Sequence, residues 1–125
     1  MVVGIGIDVV GTKRLARALS ARGRGFAERV FTPRELADCA ERRDRTQALA
    51  ARFAAKEACL KALGIGILEG VSLQQAEVVS AEGGAPALRL SGALAERAER
   101  RGVRSIHVSL THERELAAAV VVLES

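Results

Sequence analysis

The chain has 125 residues, 49% of them apolar, 27% charged and 2% aromatic, with a formal charge of +4. That length suits one domain with its own hydrophobic core, and the apolar content excludes a disordered chain. No apolar run approaches the ~20 residues of a membrane span, and MVVGIGIDVV has neither a basic leader nor a small-residue cleavage site. The expected location is therefore the cytoplasm, with no membrane partner, and Cys39 and Cys59 are expected as reduced thiols rather than a disulfide. Two cysteines and two histidines without close spacing do not make a zinc site. Three Phe with no Tyr or Trp offer few stacking platforms for single-stranded nucleic acid.

The charge is local. Residues 12–45 carry ten Lys or Arg against five Asp or Glu, +5, so the rest of the chain is close to neutral at −1. A basic patch of this kind suits an acidic partner, and it also suits a plain solvated surface.

In chain order, Val2–Asp8 is a β-branched run that reads as a buried strand ending at an acid. Thr12 precedes an amphipathic stretch from Lys13 to Ala21 and reads as its N-cap. Arg22-Gly-Arg-Gly25 reads as a break. Thr32-Pro33-Arg34-Glu35 has the capping Thr, the Pro at the first helical position and the Glu of a capping box, so a helix is expected to about Arg43. Thr46–Leu63 is the clearest helix, free of Gly and Pro and stopped by Gly64. Gly64 to Gly70 reads as a loop. Gln75–Ser80 and Ala87–Leu90 read as strands joined through Glu82-Gly83-Gly84. Gly92–Arg101 reads as a short charged helix closed by Gly102. Ile106–Leu110 alternates, His112 to Glu115 is a turn, and Ala117–Leu123 reads as a terminal apolar edge strand that needs covering. The order β-α-α-α-β-β-α-β-β, without linker or repeat, predicts a single α+β domain over residues 1–125.

Three groups of residues carry candidate chemistry. Asp8 ends an apolar strand, where a carboxylate needs a partner; a helix cap or an Arg pair would satisfy it as well as a site would. In Arg52-Phe-Ala-Ala-Lys56-Glu57-Ala-Cys-Leu-Lys61, a helical projection puts Leu49, Phe53, Leu60 and Leu63 in one stripe about 80° wide. Glu57 and Lys61 fall beside it as an i,i+4 pair, which an ordinary exposed surface also produces. Lys56 falls inside the stripe, so it must snorkel, pair or face a cavity. In Ile106-His-Val-Ser-Leu-Thr-His112, an apolar row alternates with His107, Ser109 and Thr111, small donors suited to a phosphate. Lys13, Arg14 and Arg17 share one sector of the first helix, with Leu15 and Leu19 opposite. No P-loop, dinucleotide fingerprint or nucleophile elbow is present.

Taken together, Gly4-Ile-Gly-Ile-Asp8, Phe26-Ala-Glu-Arg29, Arg52-Phe-Ala-Ala-Lys-Glu-Ala58 with Lys61 and Gly64, and His107-Val-Ser-Leu-Thr-His112 followed by Ala117-Ala-Ala-Val resemble the holo-[acyl-carrier-protein] synthases. These are the small homotrimeric class of 4′-phosphopantetheinyl transferases, and the resemblance spans nearly the whole chain. It implies an α+β fold with an antiparallel sheet packed on a long central helix. It implies Mg²⁺-dependent transfer of the 4′-phosphopantetheine arm of coenzyme A to a serine of an acidic acyl carrier protein, with release of 3′,5′-ADP.

By the same resemblance Asp8 and Glu57 match the metal ligands, and Lys61 and Glu57 the catalytic pair. Arg52, Lys56, Lys61, Thr111 and His112 are candidates for coenzyme A, and Lys13, Arg14 and Arg17 for carrier docking. Glu57 or a metal-bound water is the candidate base for the serine proton. The site is implied to lie between subunits of a homotrimer. Ile65 departs from the family, which usually carries a small hydroxyl residue there. Two readings from other classes are a basic nucleic-acid-binding module, which would leave Asp8, Glu57 and Lys56 unexplained, and a catalytically inactive oligomeric scaffold.

Overall fold

In the computed structural model, residues 1–21, 23–66, 69–80 and 82–125 are described. In chain order they form β1 (Val2–Gly11), α1 (Thr12–Ala21), α2 (Gly23–Val30), α3 (Pro33–Ala40), α4 (Arg45–Leu63), β2 (Ala76–Ser80), β3 (Pro86–Leu90), α5 (Gly92–Arg100), β4 (Ser105–Glu113) and β5 (Leu116–Glu124). Short 3₁₀ turns at Leu73–Gln75 and Glu82–Gly84 flank β2.

The α4 helix is the spine. Asp44 caps its start by accepting from the Gln47 N–H (3.0 Å), and Gly64, at φ 70°, ends it in the left-handed region that glycine enters freely. Nearly every face of α4 is buried, from Leu49 and Ala50 to Ala62 and Leu63. A helix so enclosed can carry alanine on most sides, because neighbouring elements approach its backbone closely. Its open line is Phe53, Glu57 and Lys61. Phe53 thus sits half-buried on the site side, not in the core stripe that the helical projection gives it.

A three-stranded antiparallel sheet in the order β1-β5-β4 packs one face on α4, and β2 and β3 form a separate antiparallel hairpin. This is the expected α+β architecture, with an antiparallel sheet on a long helix. Two expectations need correcting. The apolar run at the C-terminus is the centre of its sheet, because β5 pairs with β1 on one side and β4 on the other; the edges are β1 and β4. The segment after α1 is also not simply a break. Arg22 lies outside the described residues, but Gly23–Val30 is helical, and burial of Val30 with packing of Phe26 outweighs the poor helix propensity of Gly23 and Gly25.

The capping box at α3 forms as its sequence predicts. Glu35 N–H donates to Thr32 Oγ1 (3.2 Å) and Thr32 N–H to Glu35 Oε1 (2.9 Å). No helix among the described residues is long and apolar enough to cross a membrane. Cys39 and Cys59 are both free and buried, as expected of reduced thiols.

The outer face of the sheet is apolar at one edge. Ile5, Ile7 and Val9 on β1 are 67%, 63% and 59% exposed. In register beside them stand Val122, Val120 and Ala118 of β5, and beyond these His107, Ser109 and Thr111 of β4.

Candidate functional site

Alternation along β1 builds the first part of the site. Ile5, Ile7 and Val9 point outward, so Gly4, Gly6 and Asp8 point toward α4. The two glycines let strand and helix touch: a Cβ on Gly4 would fall on the Ala62 carbonyl oxygen, and one on Gly6 on that of Ala58. With the backbones this close, the next inward residue, Asp8, meets the open line of α4. Lys61 Nζ donates to Asp8 Oδ1 (3.0 Å) and to the Ile7 carbonyl (3.1 Å).

Glu57 stands one turn back on α4. Burial pushes its carboxyl above the usual range, the nearby Asp8 charge pushes it further, and Lys61 opposes both. A cavity of about 470 Å³ opens here, lined by Asp8 and Glu57 with Arg14, Phe26 and Phe53. Two hard carboxylates facing an open, water-accessible cavity fit a Mg²⁺ ion, which keeps several waters and needs few protein ligands. A transition-metal cage is a poorer fit, since no group of three or more His, Cys, Asp or Glu converges among the described residues.

Arg101 fixes this arrangement from behind. Its guanidinium donates to the Leu63 carbonyl at the end of α4 (2.6 Å) and to the Val3 carbonyl on β1 (2.8 Å). Nothing local in the sequence marks it, because its partners are backbone atoms 38 and 98 residues away.

The second part is a cavity of about 590 Å³ lined by Arg42, Arg43, Arg52, Leu110 and His112, among others. Arg52 is only 5% exposed, and its Nε has no hydrogen-bond partner among the described residues. A guanidinium buried beside an arginine-lined cavity favours an anion there. The structure brings Arg52 and His112 together here. Thr111 points to the outer face of the sheet with His107 and Ser109 and is not among the residues lining this cavity. Arg42 and Arg43 were missed by sequence reasoning, although the run Arg42-Arg43-Asp44-Arg45 was the available signal.

Lys56 does not join either cavity. It is fully buried, with Nζ 2.6 Å from Glu35 Oε1 and donating to the carbonyls of Leu73 (3.0 Å) and Ala76 (3.1 Å). Those three partners use all three ammonium protons, so nothing is left for a phosphate. Of the three open alternatives for Lys56, the structure selects pairing. Ile65 is likewise in the core, 7% exposed, which accounts for an aliphatic residue at that loop position. In α1, Lys13, Arg14 and Arg17 are all exposed, but Lys13 is tied to Glu115 (2.8 Å).

Residues 4–121 match the 4′-phosphopantetheinyl transferase superfamily. The chain is 44% identical to a holo-[acyl-carrier-protein] synthase of Maridesulfovibrio salexigens over 124 residues, 99% of each chain. It is 49% identical over 123 residues to one of Halorhodospira halophila, 98% of each. Among solved structures it is similar to a holo-[acyl-carrier-protein] synthase from Neisseria meningitidis (TM-score 0.91, 36% identity, 100% of both chains). It is also similar to one from Helicobacter pylori in complex with coenzyme A (TM-score 0.84, 32% identity, 96% of this chain and 99% of that one).

Proposed function

The chain belongs to the 4′-phosphopantetheinyl transferase superfamily, and from that membership we infer that it is a holo-[acyl-carrier-protein] synthase. It transfers the 4′-phosphopantetheine arm of coenzyme A to a serine of an acyl carrier protein and releases 3′,5′-ADP. The observation that carries this reading to the residue level is that Asp8 and Glu57 line one cavity, with Lys61 bonded to Asp8.

The serine oxygen forms a bond to the β-phosphorus of coenzyme A, the bond from that phosphorus to 3′,5′-ADP breaks, and the serine proton passes to a base. Such a step asks the protein for positioning and charge stabilisation rather than covalent chemistry. Asp8 and Glu57 would hold Mg²⁺, which supplies charge neutralisation on the pyrophosphate when bound. Lys61, one turn from Glu57, offers a cation to the leaving oxygens. Glu57 also stands within the site as a candidate acceptor of the serine proton. Arg52 and His112, with Arg42 and Arg43, offer the donors for the remaining coenzyme A phosphate charge.

Assembly as a homotrimer belongs to the same proposal. Among the described residues the two cavities share no lining residue, so one copy presents the carboxylates and the arginine cluster separately. The apolar outer face of β1 and β5 suits burial against another copy, since an exposed patch of this kind marks an interaction surface. With coenzyme A and carrier protein as its substrates, we place the enzyme in the cytoplasm.

The test is one incubation with coenzyme A, Mg²⁺ and an apo carrier protein, read by the mass of the carrier. Gain of the phosphopantetheine mass is expected, with loss of transfer in Asp8→Asn and Glu57→Gln at unchanged fold. Near-normal rates for both variants in limiting Mg²⁺ would remove the metal assignment.

A further inference from the structure

A groove of about 820 Å³ runs from the start of α1 to the β4–β5 turn, and Gly11 and Arg14 line both it and the Asp8–Glu57 cavity. Whatever reaches into that cavity from this side must lie along the groove. The groove carries six charged side chains. Lys13 and Glu115 neutralise each other in an ion pair of 2.8 Å. Arg14, Arg17 and Arg114 have no ion pair among the described residues, and Glu113 offsets one of them, leaving a local excess of about two positive charges.

Arg114 stands out on backbone grounds. Glu113 pairs with Leu116, so Arg114 and Glu115 form a two-residue connection, and Arg114 sits at φ 52°. Among the described residues it is the one non-glycine residue with positive φ. Hairpin connections of this length usually give that place to Gly, Asn or Asp, because a Cβ there is strained. Its carbonyl accepts from Gln47 Nε2 (3.4 Å), a bond that any residue could provide. The long cationic side chain therefore gives the fold nothing that glycine would not give at lower strain, and such strain is kept where the side chain serves something else. Beside it Leu116 is 54% exposed, an apolar contact point on a polar turn.

We propose that the β4–β5 turn is part of the carrier-docking surface: Arg114 acts with Arg14 and Arg17 on an acidic protein surface, and Leu116 receives an apolar residue of it. This rests on the transferase reading and extends it from α1 to a second element. A protein partner fits better than a nucleic acid, because the half-exposed Leu116 rewards an apolar side chain, which a phosphate backbone does not supply.

The experiment compares wild type, Arg114→Gly and Arg114→Lys with an apo acyl carrier protein and coenzyme A as varied substrates, plus carrier binding by anisotropy across salt. Arg114→Gly is expected to raise KM for the carrier about three- to tenfold and leave that for coenzyme A unchanged. It should also flatten the salt dependence of carrier binding and melt no lower than wild type. Arg114→Lys should recover most of the carrier KM. An unchanged carrier KM in Arg114→Gly, with wild type transferring normally, overturns the docking role and leaves the transferase reading standing. Binding of a short DNA duplex that Arg114→Gly weakens more than carrier binding also overturns it. Wild type that neither binds nor modifies any acidic carrier overturns the transferase reading and this proposal with it.

Discussion

Glu35 and Lys56 meet 2.6 Å apart with neither side chain exposed, and each ties its helix to the segment around β2. Glu35 accepts from the Val78 N–H (2.7 Å), while Lys56 donates to the carbonyls of Leu73 and Ala76. Removing one partner strands a buried charge, so Lys56→Met should cost about 3–5 kcal/mol in chemical denaturation. Lys56→Met/Glu35→Gln should recover a large part of that, because the amide keeps an acceptor and loses the charge. Strict additivity of the two single changes would show that the pair is not coupled.

Glycines in this chain separate cleanly by what stands opposite them. Gly6→Ala drives a methyl into the Ala58 carbonyl and should cost more than about 3 kcal/mol, since neither backbone can retreat without moving Asp8 from Lys61. Gly25→Ala, in α2 with its nearest neighbour the Arg29 guanidinium at 3.6 Å, should stabilise by about 0.5–1 kcal/mol. Urea midpoints of the two variants check both signs.

The raised pKa of Glu57 makes a statement about pH. In metal-free buffer the folded state holds this proton more tightly than the unfolded state, so native stability falls as pH rises through the folded pKa. Glu57→Gln removes that dependence. The variant should melt above wild type at about pH 7, and the difference should vanish as the pH falls below the ordinary carboxylate range. Parallel melting curves across that range would contradict the assigned direction.

Neither thiol should react in the folded protein. Burial pushes Cys59 up to about 12 and raises Cys39 as well, and both have no exposed surface. Since the thiolate is the nucleophile, a disulfide reagent at about pH 8 should label no cysteine in native protein and both in denaturant. Rapid labelling of either one in buffer would show that the core opens more easily than this packing implies.

How far the sequence speaks depends on how local the cause is. Thr32 to Glu35 announces its own helix, because the capping box closes within four residues. The strand and helix that carry Asp8, Glu57 and Lys61 were also legible as elements from composition, but β1 runs past Asp8 to Gly11 with its outer face exposed instead of ending buried at the acid. What Glu35 does beyond its cap was not legible, because its other partners, Lys56 and Val78, come from α4 and β2. Lys56 looked available to a ligand for the same reason. The continuous apolarity of Ala117–Leu123 fits a strand paired on both sides, but periodicity alone does not separate a centre from an edge. Arg52 and His112 were named separately; only the sheet packed on α4 puts them in one cavity with Arg42 and Arg43.

One strand serves two masters. Odd positions of β1 from Ile5 to Val9 face outward as bare hydrocarbon, while even positions from Gly4 to Asp8 hold the helix and the carboxylate that meets Lys61. A one-residue slip of β1 would turn the carboxylate out and the isoleucines in, so register errors are punished twice. Variants that fail to cover the outer row should be lost as aggregates during expression instead of accumulating as soluble single chains. Soluble yield then becomes a first screen for the proposed assembly, readable before any substrate is added.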